Sequence, residues 1–230
     1  MMHHPQHDLL INYANGEIEA VDGIAIAVHI NACSHCHAIV TEHEIHQAEL
    51  LEQATVEDST LFAQNNMMDE SALDHILELE MKTLDELKVE KTASEAFVYV
   101  NDKQFALPKP LHSIAHLIGS WTSYGGKVFS AEVALGEDQR VNLLYMNEGV
   151  KVPQHTHKGL ESTLVLHGRF SDDFAQYEVG DFIQTDGSIK HSPYTKEGED
   201  CLCLTILTQP MMFTQGVARV FNLFGRGMYP

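Results

Sequence analysis

Apolar residues recur at helical spacing up to about residue 88 and fall into short β-type runs beyond it, so the chain must fold in two different ways. Leu9, Leu10 and Tyr13 form a helical stripe that Gly16 ends as a cap. The Ala-, Ile- and Val-rich stretch from Glu19 to Ile30 predicts a second helix. A third runs from Ser34 to Gln53, with Ile39, Ile45 and Leu50 among its apolar positions. A fourth begins near Asp69, where Leu73, Leu77, Met81 and Leu84 lie three or four residues apart and share a face. Thr55 to Met68, with Asn65 and Asn66, reads as a loop or a weaker helix.

Val89 to Glu95 is polar and reads as a linker. After it come strand-like runs: Phe97 to Val100, Lys127 to Leu135, Arg140 to Met146, Ser162 to Phe170, Asp181 to Thr185, Asp200 to Leu207 and Ala218 to Leu223. Turn residues such as Asn101-Asp102, Gly125-Gly126, Gly136, Gly149, Gly168, Gly180, Gly187 and Gly198 separate them. Many short strands with regular turns predict a sandwich or small barrel. The expected division is a helical domain over 1–90, a linker and first strand over 91–110, and a β-domain over 111–230.

No apolar run approaches the roughly 20 residues that span a bilayer, and the longest, Ile24 to Ile30, contains His29. The first residues show no basic region followed by an apolar stretch, so a cytoplasmic, membrane-free protein is expected. Four cysteines do not make a disulfide scaffold, and in a reducing compartment they stay free for metal or redox work.

The net charge of −19 is unevenly spread. Residues 1–95 hold 19 acids and 3 bases, net −16, and the remainder 14 acids and 11 bases, net −3. Such a first part repels nucleic acid and attracts basic surfaces, so direct DNA or RNA binding there is not expected.

His29-x3-Cys33-x2-Cys36 places three soft or borderline ligands together. On a continuous helix they share one face. If Asn31 breaks the helix, His29 ends one helix and the cysteines open the next. Zinc needs a fourth ligand, for which His4 and His7 are candidates. Such a site would staple a domain of under 100 residues. The same stretch also reads C-x-x-C-H, a haem-attachment pattern that usually requires export. The other histidines here, His35, His37, His43 and His46, read as solvated.

A second constellation lies in the β-part. Gly149-x5-His155-Thr156-His157-x3-Glu161-x6-Gly168 matches the first cupin motif at every position. His155 and His157 point to one face of a strand, and Glu161 returns to it. The second motif is partial: Gly180 and His191 keep their separation, but Asp186, Ser188 and Thr195 replace the usual Pro, Gly and Asn. Three His and one Glu then point into a small barrel and suit Zn, Fe, Ni or Mn. Cys201-Leu202-Cys203 puts two sulfurs on one strand face, either as core thiols or as a redox-sensitive pair.

Together these features resemble the ChrR family of zinc-binding anti-sigma factors. The resemblance rests on His4 before Leu9-Leu10 and Tyr13-Ala14-Asn15-Gly16, on His29-x3-Cys33-x2-Cys36, on Val152 to Glu161, and on Asp200-Cys201-Leu202-Cys203-Leu204. It implies an α plus all-β, multidomain fold: a zinc-binding anti-sigma helical bundle followed by a cupin-like (double-stranded β-helix) barrel. It implies one zinc on His4, His29, Cys33 and Cys36 and a second on His155, His157, Glu161 and His191. It also implies an extracytoplasmic-function sigma factor held by the acidic first part. The barrel would be the sensor half, required for the response to singlet oxygen or organic hydroperoxide but not for holding the sigma factor. A regulator of this kind is not an enzyme. The rival expectations are a cupin metal-dependent enzyme, such as a dioxygenase or isomerase, and a metal-storage protein.

Overall fold

The computed structural model describes residues 3–62, 95–135, 139–215 and 218–219. The expected helix carrying Leu73 to Leu84, most of the expected linker, the turn at Gly136 and most of the run from Ala218 to Leu223 lie outside the described residues. Two compact units emerge: Met1–Thr41 together with Glu95–Pro230, and Glu42–Ser94.

The helices are α1 (His7–Asn15), α2 (Ala20–Ala32) and α3 (Ser34–Phe62). The Gly16 amide closes α1 on the Tyr13 carbonyl, as its position predicts. Helix α3 runs nine residues past the expected end at Gln53, into the stretch read as a loop or weaker helix. The break between α2 and α3 falls at Cys33, two residues after Asn31. There the backbone is extended (φ −113°, ψ 102°) and the axes turn by 115°. That elbow puts His29 in the last turn of α2 and Cys36 in the first of α3. In the second unit, Ile45 and Leu50 of α3 are exposed. No single helix among the described residues is long and apolar enough to cross a membrane.

The β-part comprises β1 (Phe97–Val100), β2 (Lys103–Ala106), a 3-10 helix (Lys109–Leu117), β3 (Thr122–Tyr124), β4 (Val128–Glu132), β5 (Arg140–Met146), β6 (His155–His157), β7 (Glu161–Ser171), β8 (Gln176–Glu178), β9 (Phe182–Thr185), β10 (Cys201–Leu207) and β11 (Met211–Phe213). Every strand pair among the described residues is antiparallel. The main sheet runs β3-β4-β5-β10-β7-β8, with β9 also on β7, and β6 pairs with β11. This is the small antiparallel barrel the short runs predict. The β1–β2 hairpin turns on Asn101 and Asp102, both with positive φ, the geometry of a tight two-residue hairpin. Lys103 ties it to Asp200 at 2.6 Å, and the Tyr145 hydroxyl donates to the same carboxylate at 2.9 Å.

Strand β10 is buried at all seven positions, because both its faces are covered. Leu202, Leu204 and Ile206 enter one core with Leu10, Val21, Ala25 and Ile26 of α1 and α2. Cys201 and Cys203 face the other way, into a core with Met146, Val165, Phe170 and Tyr177. The alternation is that of any strand, but the sequence reads as an apolar run broken only by Thr205 because helices cap the outer face. Each buried Leu or Ile contributes about 1.5–3 kcal/mol.

Candidate metal centres

The first cluster is built from two separate stretches. The α2–α3 elbow supplies His29, Cys33 and Cys36, and the extended segment before α1 supplies His4. The ligand atoms of all four lie within 4.8 Å of one another. His4 Nδ1 is 3.4 Å from Cys33 Sγ and 3.3 Å from Cys36 Sγ. A tetrahedral zinc with ordinary bond lengths separates S and N ligands by about 3.6 Å, so the donor set and its spacing fit that metal. His7, the other candidate, opens α1 as an exposed residue outside the cluster. Both cysteines and His29 are buried, while His4 is exposed.

Protonation follows from that burial. Burial, then the neighbouring Cys33, pushes the Cys36 thiol up to about 12. Burial holds His29 below the usual imidazole range. His29 Nδ1 donates to the Gly180 carbonyl at 2.7 Å, leaving Nε2 buried with no hydrogen-bond partner among the described residues. A buried orphan nitrogen of this kind is what a metal ligand looks like without its ion.

The second cluster joins His155 and His157 of β6, Glu161 at the start of β7, and His191. All four are buried, with ligand atoms within 4.8 Å of one another. His155 and His191 also pair through their backbones, and their Nε2 atoms are 3.0 Å apart. His157 Nε2 lies 2.8 Å from Glu161 Oε2. Two groups aim the rings. The Pro153 carbonyl receives His155 Nδ1 at 2.9 Å, and the Asp172 carboxylate receives His191 Nδ1 at 3.4 Å. Burial lowers His155 to about 4. For Glu161 burial acts upward, but the His157 hydrogen bond and the surrounding imidazoles outweigh it and hold the carboxyl at about 2. The set is therefore a ready carboxylate and a neutral imidazole, the protonation states a divalent metal requires.

The sequence did not single out Asp172. Burial pushes its carboxyl up, while hydrogen bonds from His191, Ala175 and Phe174 outweigh this and hold it below the usual range. The substituted loop residues supply their own turn chemistry. Asp186 accepts from the Ser188 amide at 2.8 Å, and Thr195 Oγ1 accepts from the Val150 amide at 3.1 Å. His191 thus keeps its place without the usual Pro, Gly and Asn.

A small cleft of about 60 Å³ reaches this cluster. His155, Glu161 and His191 line it together with Val128, Leu144, Met146, Phe170, Met211 and Cys203. Cys201 and Cys203 are buried with their sulfurs 3.4 Å apart, and burial raises the Cys201 thiol. Both are core thiols, and Cys203 also lines the cleft.

A family model described as the ChrR cupin-like domain matches residues 129–210. Anti-sigma-E factor ChrR of Cereibacter sphaeroides is 26% identical over 230 residues, covering 97% of this chain and 98% of that protein. A chain from the crystal structure of Rhodobacter sphaeroides SigE in complex with the anti-sigma ChrR matches with 25% identity and a TM-score of 0.65. That match covers 89% of this chain and 98% of the other. The resemblance drawn from the motifs thus extends along nearly the whole chain, helical part and barrel alike.

Proposed function

We propose that this protein is an anti-sigma factor whose acidic N-terminal part holds an extracytoplasmic-function sigma factor in the cytoplasm and whose cupin-like barrel releases it on an oxidative signal. The observation that carries the reading is the likeness to ChrR over 98% of that protein's length. The functional division follows the change of periodicity: residues 1–90 for the partner, 91–110 as the connection, 111–230 for sensing. The net −16 of the first 95 residues suits a basic partner and would speed and orient encounter more than tighten it. Exposed Ile45 and Leu50 beside Glu42, Glu44 and Glu49 on α3 offer apolar and acidic contacts together.

Zinc is the metal proposed for both clusters. It would supply a closed crosslink on His4, His29, Cys33 and Cys36, and a Lewis-acid centre on His155, His157, Glu161 and His191. Around the second cluster, Pro153 and Asp172 hold the rings, and the apolar cleft admits a small oxidant while limiting water. Oxidation there, or at Cys201 and Cys203, would shift the barrel and bias the N-terminal part toward release. A working switch needs a few kcal/mol of difference in sigma affinity between the two states.

The test is capture from the native cell's lysate with the zinc-loaded full chain. A sigma factor at near-equal stoichiometry is expected, and recovery of none rejects the anti-sigma role. His155→Ala with His157→Ala should leave capture intact and abolish release by oxidant. A normal response from that variant removes sensing from the barrel. The cleft beside the second cluster also favours one rival, a metal-dependent dioxygenase. That reading predicts iron in the site and turnover of a small molecule.

A further inference from the structure

In the first cluster the barrel holds the His29 side chain directly and the backbone of His3, the residue before His4. The turn between β8 and β9, Val179-Gly180-Asp181, carries the contacts. The Gly180 carbonyl receives His29 Nδ1 at 2.7 Å. Asp181 accepts the His3 amide on Oδ1 at 2.7 Å, and its Oδ2 lies 3.4 Å from His3 Nδ1. The Phe182 amide donates back to the His3 carbonyl at 3.0 Å. The residue next to His4 is therefore held at both its N–H and its C=O.

The turn is itself rigidly seated. Gly180 donates to the Val165 carbonyl at 2.9 Å, and the Val165 amide donates to the Asp181 carbonyl at 3.1 Å. The Glu178 amide caps Asp181 Oδ2 at 2.8 Å. Gly180 sits at φ 92°, which an L side chain rarely adopts, and that conformation directs its carbonyl at His29. A bond to one imidazole nitrogen fixes which nitrogen faces the metal, and such outer partners commonly change metal affinity by about 10–100-fold.

We infer that the β8–β9 turn of the barrel is the outer shell of the first metal site, with the Gly180 carbonyl and the Asp181 carboxylate as positioning groups for His29 and His4. The inference rests on that cluster holding a metal. It makes metal retention in the helical part depend on a barrel contact, and by linkage makes the metal a clasp that keeps the N-terminal segment on the barrel. Strand β9 extends the connection: its far end, Thr185, donates to Glu161 of the second cluster at 3.3 Å.

The test uses cobalt in the full chain. Only the first cluster contains cysteine, so sulfur-to-cobalt charge-transfer bands report it alone. In Asp181→Asn those bands should decay into excess chelator about tenfold faster or more than in the unaltered chain, with the circular dichroism of the barrel unchanged. Equal decay rates overturn the inference and leave the metal site standing. Absence of the bands from the unaltered, folded chain overturns both. If the variant does not fold, nitrogen-15 NMR of the unaltered zinc-loaded chain decides. His29 should carry its proton on Nδ1 and its metal on Nε2, and metal on Nδ1 overturns the inference.

Discussion

The two clusters differ in donors, in surroundings and in what holds them. The first pairs two thiols with two imidazoles, leaves His4 exposed and is assembled at a helix elbow. The second has three imidazoles and a carboxylate, all buried, and borders an apolar cleft. Soft, closed donor sets retain metal and staple structure, whereas nitrogen–oxygen sets beside open space can meet a small molecule. The two donor sets thus suit different tasks, one a closed crosslink and the other a site that a small molecule can reach.

The largest effect should come from breaking the first site. Cys36→Ser should forfeit metal binding worth on the order of 10 kcal/mol. Thermal melting with and without chelator checks this: the unaltered chain should lose stability on chelation and the variant should not. Equal sensitivity of both chains would remove the staple from the comparison.

Next in size is the wall between the two regions. Leu204→Ala opens a cavity between β10 and the helices and should cost about 2–5 kcal/mol, read from the urea midpoint. Since Leu204 faces away from the second cluster, metal content there should be unchanged in the folded variant. Its loss would mean that the two faces of β10 are not separable.

A smaller effect is expected at Asp172, which aims His191. Asp172→Asn should weaken metal binding at the second site by about 10–100-fold. Competition with a chelating dye measures it, and the first site should be unaffected.

The smallest and most discriminating difference is in pH. A thiol at about 12 must lose its proton to bind metal, so Cys36 alone should raise first-site affinity by about tenfold per pH unit across neutrality. At the second site Glu161, at about 2, is already ionised and His155, at about 4, is already neutral. Those two groups add no slope between about pH 5 and 8. Metal titrations at three pH values would show the contrast, and equal slopes would contradict it.

Much of this was legible along the chain. The helix stripe ending at Gly16, the strands at Arg140–Met146 and Cys201–Leu207, and seven of the eight clustered side chains follow from local spacing. Short segments were not legible. Strands β3, β8 and β11 have three residues each, too few for alternation to register, and the 3-10 helix at Lys109–Leu117 spans only nine residues, so the three-residue spacing of Leu111, Ile114 and Leu117 is too brief to stand out.

What the sequence determined by itself is what depends on neighbours within a few residues: secondary structure, the turn chemistry, and ligands spaced along one helix elbow or one strand. Local spacing left His4 and His7 open, the resemblance implied His4, and the tertiary structure brings His4 to the cluster; it also covered both faces of β10 and brought Asp172, Gly180 and Asp181 to rings they do not neighbour in the chain. The reason is physical. Spacing fixes which side chains share a face, but contacts across more than a hundred residues, such as His29 with Gly180, exist only after the core has closed and brought both backbones to one place.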